Sequence, residues 1–205
     1  MAELTTVAEL GTAAGTLVLA VATFFSTRSA NRAARVAERS LLLGLRPTLM
    51  PSRAQDPPVD VDFRAVERFV RVEPGRAIVV AEDTGETLLA ISVRNTGAGL
   101  AVLRGWSLRA GSNPGEARHT AVDDFRRLAR DLYVSPGDVG FWQGAIREAA
   151  DPLNAAVRGE LHDGGTLAVE VLYSDQEGGQ SYVTRFTLRN RDGDWTVSAG
   201  RHWDV

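Results

Sequence analysis

The hydrophobic periodicity of the chain changes once, near Leu45. Before that point no proline interrupts the sequence, and Ala30, Ala33 and Ala37 recur at intervals of three and four, which is typical of a helix. Beyond it, apolar and polar residues alternate in short runs separated by turn residues, the pattern of an antiparallel sheet. The sequence therefore predicts a long helix within residues 1–44 and a mainly β domain over residues 45–205.

An uncharged stretch of 18 residues runs from Leu10 to Thr27 and precedes an arginine-rich segment, residues 28–39. A spanning helix needs about 20 apolar residues, with a range of roughly 17–25. Arginines after the stretch favour a cytoplasmic location for that side. We therefore expect a single-pass protein of the inner (plasma) membrane, with its N-terminus outside and its C-terminal domain in the cytoplasm. The span includes Leu10, Gly11, Gly15, Leu17, Val18, Leu19, Val21, Phe24 and Phe25.

Other interpretations of this helix stay open. It could be a secretory signal cleaved after Ala22, although glutamates stand where a signal has basic residues. It could also be an amphipathic helix that lies on the domain or on the bilayer surface. Gly11 and Gly15 have the small-xxx-small spacing through which two helices could approach as a homodimer, and the same spacing also arises by chance in Gly/Ala-rich segments.

Alternation is clearest in residues 86–95, 166–174, 181–190 and 194–200, which we predict as strands joined partly by Asp/Gly hairpins. Further strands are predicted at 46–52, 67–72, 76–82, 100–108 and 138–145, with edge positions or bulges at Pro51 and Arg104. Two short helices are predicted as insertions. The first, residues 120–132, has a Thr120/Asp123 capping box, and the second, residues 151–165, has Asp151 as its N-cap. Many short strands with few helices favour an antiparallel β-sandwich.

The segment VRNTGAGLAVLRGWSL, residues 93–108, carries Asn95, Gly97, Gly99 and Ala101 in the spacing Asn-x-Gly-x-Gly-x-Ala. It resembles a corner of immunoglobulin-like bacterial β-sandwich modules. Nearly the whole chain resembles an uncharacterised bacterial family of small membrane-anchored proteins. Besides this corner, the resemblance is carried by the N-terminal span and by the segments LRPTLMPSR and DDFRRLARDLYVSPGDVGFWQGA. The resemblance implies an immunoglobulin-like sandwich and an anchor, and it brings no activity. Independently, the two glycines permit a tight turn and Asn95 can bond the loop backbone.

The composition argues against several kinds of chemistry. All 23 basic residues are arginine and cysteine is absent, which excludes lysine-dependent phosphate loops, Schiff bases and thiol nucleophiles. Residues 47–205 hold 18 arginines against 23 acids, a net charge of −5, so nucleic acid is not an expected partner. His119, His162 and His202 lack metal-ligand spacing, and neither Ser135 nor the paired carboxylates have a catalytic partner. We expect no enzyme activity, no metal and no cofactor.

The remaining features favour binding. We predict a non-enzymatic protein-interaction or scaffolding module with an unknown protein partner, and Trp142 and Trp203 are candidates for its interaction surface. The alternative is a small-ligand sensor with a pocket between the sandwich and the insert at residues 120–163.

Overall fold

The computed structural model describes residues 2–64, 67–111, 117–162 and 164–205. Within the first helix, the side chains of residues 2–14, 39, 42 and 43 lie outside the description. The chain divides into two compact units, residues 1–44 and residues 45–205.

The first unit is one helix, α1, Ala2–Gly44. It confirms the predicted helix and is about 65 Å long at 1.5 Å per residue. Thr23 Oγ1 donates to the Leu19 carbonyl at 2.7 Å, and Thr27 Oγ1 donates to the Thr23 carbonyl at 2.9 Å. The helix thus satisfies these hydroxyls internally, as apolar surroundings would require.

The apolar side chains of α1 from Leu17 to Phe25 are exposed. Across the described residues, no helix reaches the length and apolar character needed to cross a membrane. Leu10 and Gly11 of the predicted span fall outside the residues whose side chains the structure describes. At Gly15 the position of a Cβ atom has open space around it.

The described part of the second unit is antiparallel β-structure with one α-helix, α2, Pro152–His162. The first six strands are β1 (Leu49–Pro51), β2 (Val59–Phe63), β3 (Arg68–Val72), β4 (Arg76–Ala81), β5 (Thr87–Asn95) and β6 (Ala101–Ala110). The last five are β7 (Arg126–Val134), β8 (Val139–Ile146), β9 (Thr166–Ser174), β10 (Ser181–Arg191) and β11 (Asp194–Asp204).

Nine of these strands form one sheet that curls around a single core. Its order is β1-β5-β4-β11-β10-β9-β6-β7, and β8 pairs with the other edge of β5. Inward-facing residues fill the interior, among them Ile91, Trp106, Trp142, Phe186 and Leu188. The predicted antiparallel β-domain is therefore confirmed.

The remaining two strands, β2 and β3, form a separate ribbon. Val61, Phe63 and Val72 of the ribbon pack with Leu88 and Ala90 of β5 in a second, smaller core. Leu88 and Ala90 lie on the opposite face of β5 from Leu89 and Ile91, because successive side chains in a strand point to opposite faces. The ribbon therefore buries the outer face of β5, and this strand is covered on both sides.

Several local predictions are confirmed. Helix α2 begins where Asp151 Oδ1 accepts from the Leu153 N–H at 3.0 Å, as an N-cap does. The pairing of β6 with β9 shifts register between Leu103 and Gly105, which places a bulge at Arg104. Pro51 ends β1, which pairs with β5 alone.

The predicted helix at residues 120–132 is wrong. This segment contains a 3-10 turn at Val122–Asp124 and then enters β7. Thr120 does not cap a helix, because its N–H donates to Glu170 Oε2 at 2.8 Å and its hydroxyl bonds Ser107 Oγ at 2.9 Å. Pairing with β6 at both ends of β7 decides the conformation over the local helical spacing.

The corner at Asn95 is organised by that one side chain. Its Nδ2 donates to the carbonyls of Gly99 at 2.7 Å and Val134 at 3.0 Å. Its Oδ1 accepts from the N–H groups of Thr48 and Gly97, each at 3.0 Å. The buried amide thus uses all four of its hydrogen-bonding positions, which confirms the predicted bonding of the loop backbone.

Glycine is required at this corner for close approach of the backbone. A Cβ at Gly97 would lie 2.2 Å from the Arg46 carbonyl oxygen, and one at Gly99 would lie 1.7 Å from that of Leu45. Both distances are far below any contact that packing allows. The two glycines therefore admit the strand that enters the domain ahead of β1.

Candidate functional site

The curled sheet stays open between β7 and β8. Strand β7 pairs only with β6 and β8 pairs only with β5, and no ladder joins the two in the described residues. They are adjacent at one end, where a Cβ at Gly140 would lie 3.0 Å from a Val134 methyl group. We call the opening the seam. Its two facing strand edges carry backbone groups that no neighbouring strand pairs.

A bulge in β7 accompanies the opening. Leu103 of β6 pairs with Leu132 of β7, and Gly105 pairs with Arg127. Two steps along β6 therefore correspond to five steps along β7, and residues 128–131 have no partner in β6. A bulge of this kind bends its strand and redirects the side chains that it carries.

A groove of about 540 Å³ occupies the seam. Its floor is apolar and its rim is rich in arginine. The floor is formed by Trp106, Leu132 and Gly144 on the core side, and Phe63, Leu88 and Ala145 line the groove on the ribbon side. The rim includes Asp62, Arg64, Glu86, Arg126, Arg127, Arg130, Gln143 and Arg147.

Gly144 is required by the packing beneath the groove. A Cβ there would lie 2.8 Å from the Trp142 ring and 3.2 Å from the Trp106 ring. The two indoles meet edge to face, with centroids 5.6 Å apart and an interplanar angle of 68°. This is a favoured aromatic geometry, and it makes the floor rigid below the open edge.

The rim carries an excess of positive charge. Arg64 pairs with Asp62 at 3.2 Å, and Arg126 pairs with Asp151 at 2.7 Å. The hydrogen bond from Arg126 holds the pKa of Asp151 below its ordinary value. Within the described residues, Arg127, Arg130 and Arg147 have no carboxylate partner. The groove lining contributes only Glu86 as a further acid, so an anion would find three uncompensated guanidinium groups there.

Arg130 stands out among these side chains. Its Nη2 donates to Gln143 Oε1 at 2.9 Å, across the seam, and its guanidinium lies 5.3 Å from the centre of the Phe141 ring. Its Nε is buried and has no hydrogen-bond partner among the described residues. A buried donor without a partner is unfavourable by about 1–3 kcal/mol.

A second polar cluster lies on the outer face of β9 and β10. Glu170 and Arg185 are both 1% exposed, and Arg185 Nε donates to Glu170 Oε1 at 2.8 Å. Arg109 and the Thr120 N–H also donate to this carboxylate. Burial acts to raise the pKa of Glu170, but the bonds from Thr120 and Arg185 outweigh it and the pKa is lowered. Through the Thr120 N–H and a bond from Arg185 to the Arg118 carbonyl, the cluster fastens residues 118–120 to the sheet.

The structure separates the two tryptophans predicted for an interaction surface. Trp142 is 0% exposed and belongs to the core, so it does not form part of a surface. Trp203 is partly exposed and covers the buried ion pair, with its ring 5.0 Å from the Arg185 guanidinium carbon and 5.5 Å from the His119 ring. Neither tryptophan lines the seam groove.

The three histidines stand apart from the groove. His202 Nδ1 bonds Thr184 Oγ1 at 2.8 Å, and burial together with nearby Arg46 lowers its pKa. His119 lies against Trp203, and His162 ends α2. In the described portion of the chain, no three acidic or histidine side chains lie close enough to hold a metal ion.

Comparison of the chain with models of known protein families and with curated proteins finds no match. The resemblance of the Asn95 corner to immunoglobulin-like modules stays a prediction.

Sequence reasoning did not find the groove. The helix predicted for residues 120–132 contains its arginines of β7. The alternation of Leu128, Leu132 and Val134 at even positions was the available signal for a strand. Which strand edges fail to pair is a property of the whole sheet, and the local pattern carries no sign of it.

Proposed function

We propose that residues 45–205 form a non-enzymatic protein-interaction module, and that the seam groove binds an anionic segment of a partner protein. The observation that carries the proposal is the coincidence of unpaired strand edges, an apolar floor and three arginines without carboxylate partners. Charge-assisted bonds from guanidinium groups to carboxylates are among the stronger polar contacts. Enrichment of arginine and aromatic residues is also typical of interface hot spots.

A small-ligand sensor is the second candidate function. The groove volume of about 540 Å³ lies within the roughly 300–1,000 Å³ of small-molecule sites. The groove also adjoins the predicted insert, since β7 and β8 both fall within residues 120–163. Its length along two strand edges favours an extended ligand over a compact one.

The proposal includes an immunoglobulin-like domain held at the inner membrane by a single-pass helix, with the domain in the cytoplasm. The Asn95 corner supports the first part. The uncharged stretch 10–27 and the arginines that follow it support the second. The internally bonded hydroxyls of Thr23 and Thr27 are compatible with a hydrocarbon environment.

A charge-reversal experiment tests the groove. The probe is a decaglutamate peptide, titrated into the 205-residue chain at low salt and followed by tryptophan fluorescence, to which Trp106 in the floor contributes. We expect saturable binding that weakens with salt, and at least a tenfold loss of affinity in the double variant Arg127→Glu/Arg147→Glu. Both side chains are exposed and lack ion-pair partners in the described chain, so the fold should tolerate the change.

The matched control is Arg189→Glu/Arg191→Glu, two exposed arginines of β10 remote from the groove. Equal losses in both double variants would mean that the peptide responds only to net charge, and the proposal would fail. Binding of free citrate as tightly as of the peptide would favour the sensor.

A further inference from the structure

We propose that the occupant of the seam is an extended segment of alternating acidic and apolar residues that adds a strand to the free edge of β8. This inference rests on the proposed function and specifies its partner. Addition of a peptide strand to an exposed sheet edge is a common recognition mode, in which main-chain bonds give affinity and alternate side chains give specificity.

The hydrogen bonds beside the corner fix which backbone groups of β8 face the seam. Asn95 N donates to the Asp138 carbonyl at 3.0 Å, and the Asn95 carbonyl accepts from Gly137 N at 2.9 Å. On the opposite side of β5, Ser52 N donates to the Ser92 carbonyl at 3.2 Å. Odd-numbered residues of β5 therefore bond toward β8, and even-numbered residues bond away from it.

The register between β5 and β8 determines which residues of β8 bond to β5. Val93, Ile91, Leu89 and Thr87 lie opposite residues 140, 142, 144 and 146, which are thus the positions bonded to β5. In an antiparallel ladder the intervening residues direct their N–H and C=O groups to the other edge. Phe141, Gln143 and Ala145 therefore present their backbone groups to the seam, where no strand of the described chain pairs with them.

The bulge in β7 prevents the chain from closing the seam itself. Paired strands lie about 4.7–4.9 Å apart, and residues 128–131 leave the ladder with β6, so β7 is not held parallel to the β8 edge. The groove opens between residues 126–132 and 143–147. The proposed strand would lie there, beside β8.

The two surfaces of the groove specify the side chains of that strand. Residues facing the floor meet Trp106 and Leu132, which are buried and apolar. Residues facing the rim meet the guanidinium groups of Arg127 and Arg147. Because side chains alternate along a strand, the matching sequence places acidic residues at every second position and apolar residues between them.

Arg130 has a distinct part in this arrangement. It reaches across the seam to Gln143, one of the residues with outward-facing backbone groups. Its buried Nε lacks an acceptor among the described residues. Once the Arg130 side chain turns toward the groove, a carboxylate or carbonyl oxygen of the added strand would complete its hydrogen bonding.

The experiment compares two peptides of equal charge on the 205-residue chain. The first is a hexapeptide of alternating glutamate and valine, and in the second proline replaces each valine. Affinity is measured by tryptophan fluorescence, and amide hydrogen exchange is followed residue by residue. We expect the valine peptide to bind at least tenfold more tightly and to slow exchange at Gln143 and Ala145 at least tenfold. Exchange at Trp142 and Gly144, which are already bonded to β5, should change little.

Other results would distinguish a failure of strand addition from a failure of the groove as a binding site. Equal affinity for both peptides without protection of Gln143 and Ala145 would overturn strand addition and leave an anion-binding groove. Absence of binding by either peptide would overturn the proposed function as well. Tighter binding of a single-stranded oligonucleotide of equal charge would overturn the assignment to a protein segment. In the variant Arg130→Gln we expect affinity for the valine peptide to fall at least fivefold, whereas an unchanged affinity would contradict the part assigned to Arg130.

Discussion

Replacement of Glu170 by glutamine tests whether the buried ion pair stabilises the β-domain. The carboxylate accepts from Arg185, Arg109 and the Thr120 N–H, each at 2.8 Å. A glutamine keeps the shape and one acceptor oxygen, but its NH₂ group must face donors, and the buried Arg185, which is 1% exposed, loses the negative charge of Glu170. Removing one partner of a buried pair is destabilising by about 3–5 kcal/mol, which is a large part of the roughly 5–15 kcal/mol that stabilises a domain.

The assay is urea denaturation of wild type and Glu170→Gln, repeated from pH 7 down to pH 3.5. The pKa of Glu170 is lowered in the folded state from its ordinary value of 4.5. Its stabilising contribution is therefore complete above that value and is lost as pH falls through the folded pKa. The difference in unfolding free energy should be about 3 kcal/mol or more at pH 7 and should shrink below pH 4.5.

Asp60→Asn provides the matched control for this experiment. It removes an exposed pair with Arg71, whose N–O separation is 3.6 Å, and an exposed pair contributes about 0–1 kcal/mol. A difference below about 1 kcal/mol for Glu170→Gln, or one that persists unchanged at pH 3.5, would refute the assignment of a stabilising charge to this site.

Two further predictions concern the corner and the helix. Gly99→Ala places a methyl carbon on the Leu45 carbonyl oxygen and should destabilise the domain by about 3 kcal/mol or more in the same denaturation assay. Its control is Gly179→Ala, because a Cβ at Gly179 has open space around it. Equal effects of the two substitutions would contradict the steric explanation. The 205-residue chain should sediment with membranes and a chain that begins at Leu45 should not, and a truncated chain that still sediments with membranes would contradict the proposed anchor.

Much of the β-domain was predictable because its strands obey local rules. In β9 the inward-facing residues Leu167, Val169, Val171 and Tyr173 stand at every second position, and the turn to β10 contains Gly178, which has a φ of 71°. In the next hairpin Asp192 and Gly193 have φ values of 55° and 91°, as such turns require. Helix α2 also follows from its own residues, since Asp151 supplies the cap.

Other elements depend on contacts that a local pattern does not contain. Phe125, Leu128 and Leu132 recur at three and four residues and suggest a helix, yet the segment is a strand because β6 offers it a pairing edge. Strand β2 is short and gains its stability by covering Leu88 and Ala90. The sequence allows Trp142 in the core or at an interaction surface, and its contact with Trp106 places it in the core.

Unpaired backbone groups of a strand edge and arginines without carboxylate partners in the described residues meet at the open seam. Exposed strand edges invite pairing with other chains, and natural sheets protect them with charged side chains, so arginines at the rim could serve that purpose alone. Edge protection does not explain the buried Nε of Arg130, because protection of an edge needs exposed charge and this donor is enclosed beside the floor. Bringing β7 against β8 without a ligand would crowd Arg127, Arg130 and Arg147 together with little negative charge nearby. An acidic strand supplies both the backbone partners that β8 lacks and the charge that would otherwise oppose closure. The sheet geometry and the arginine cluster thus select one class of ligand, and neither feature alone would do so.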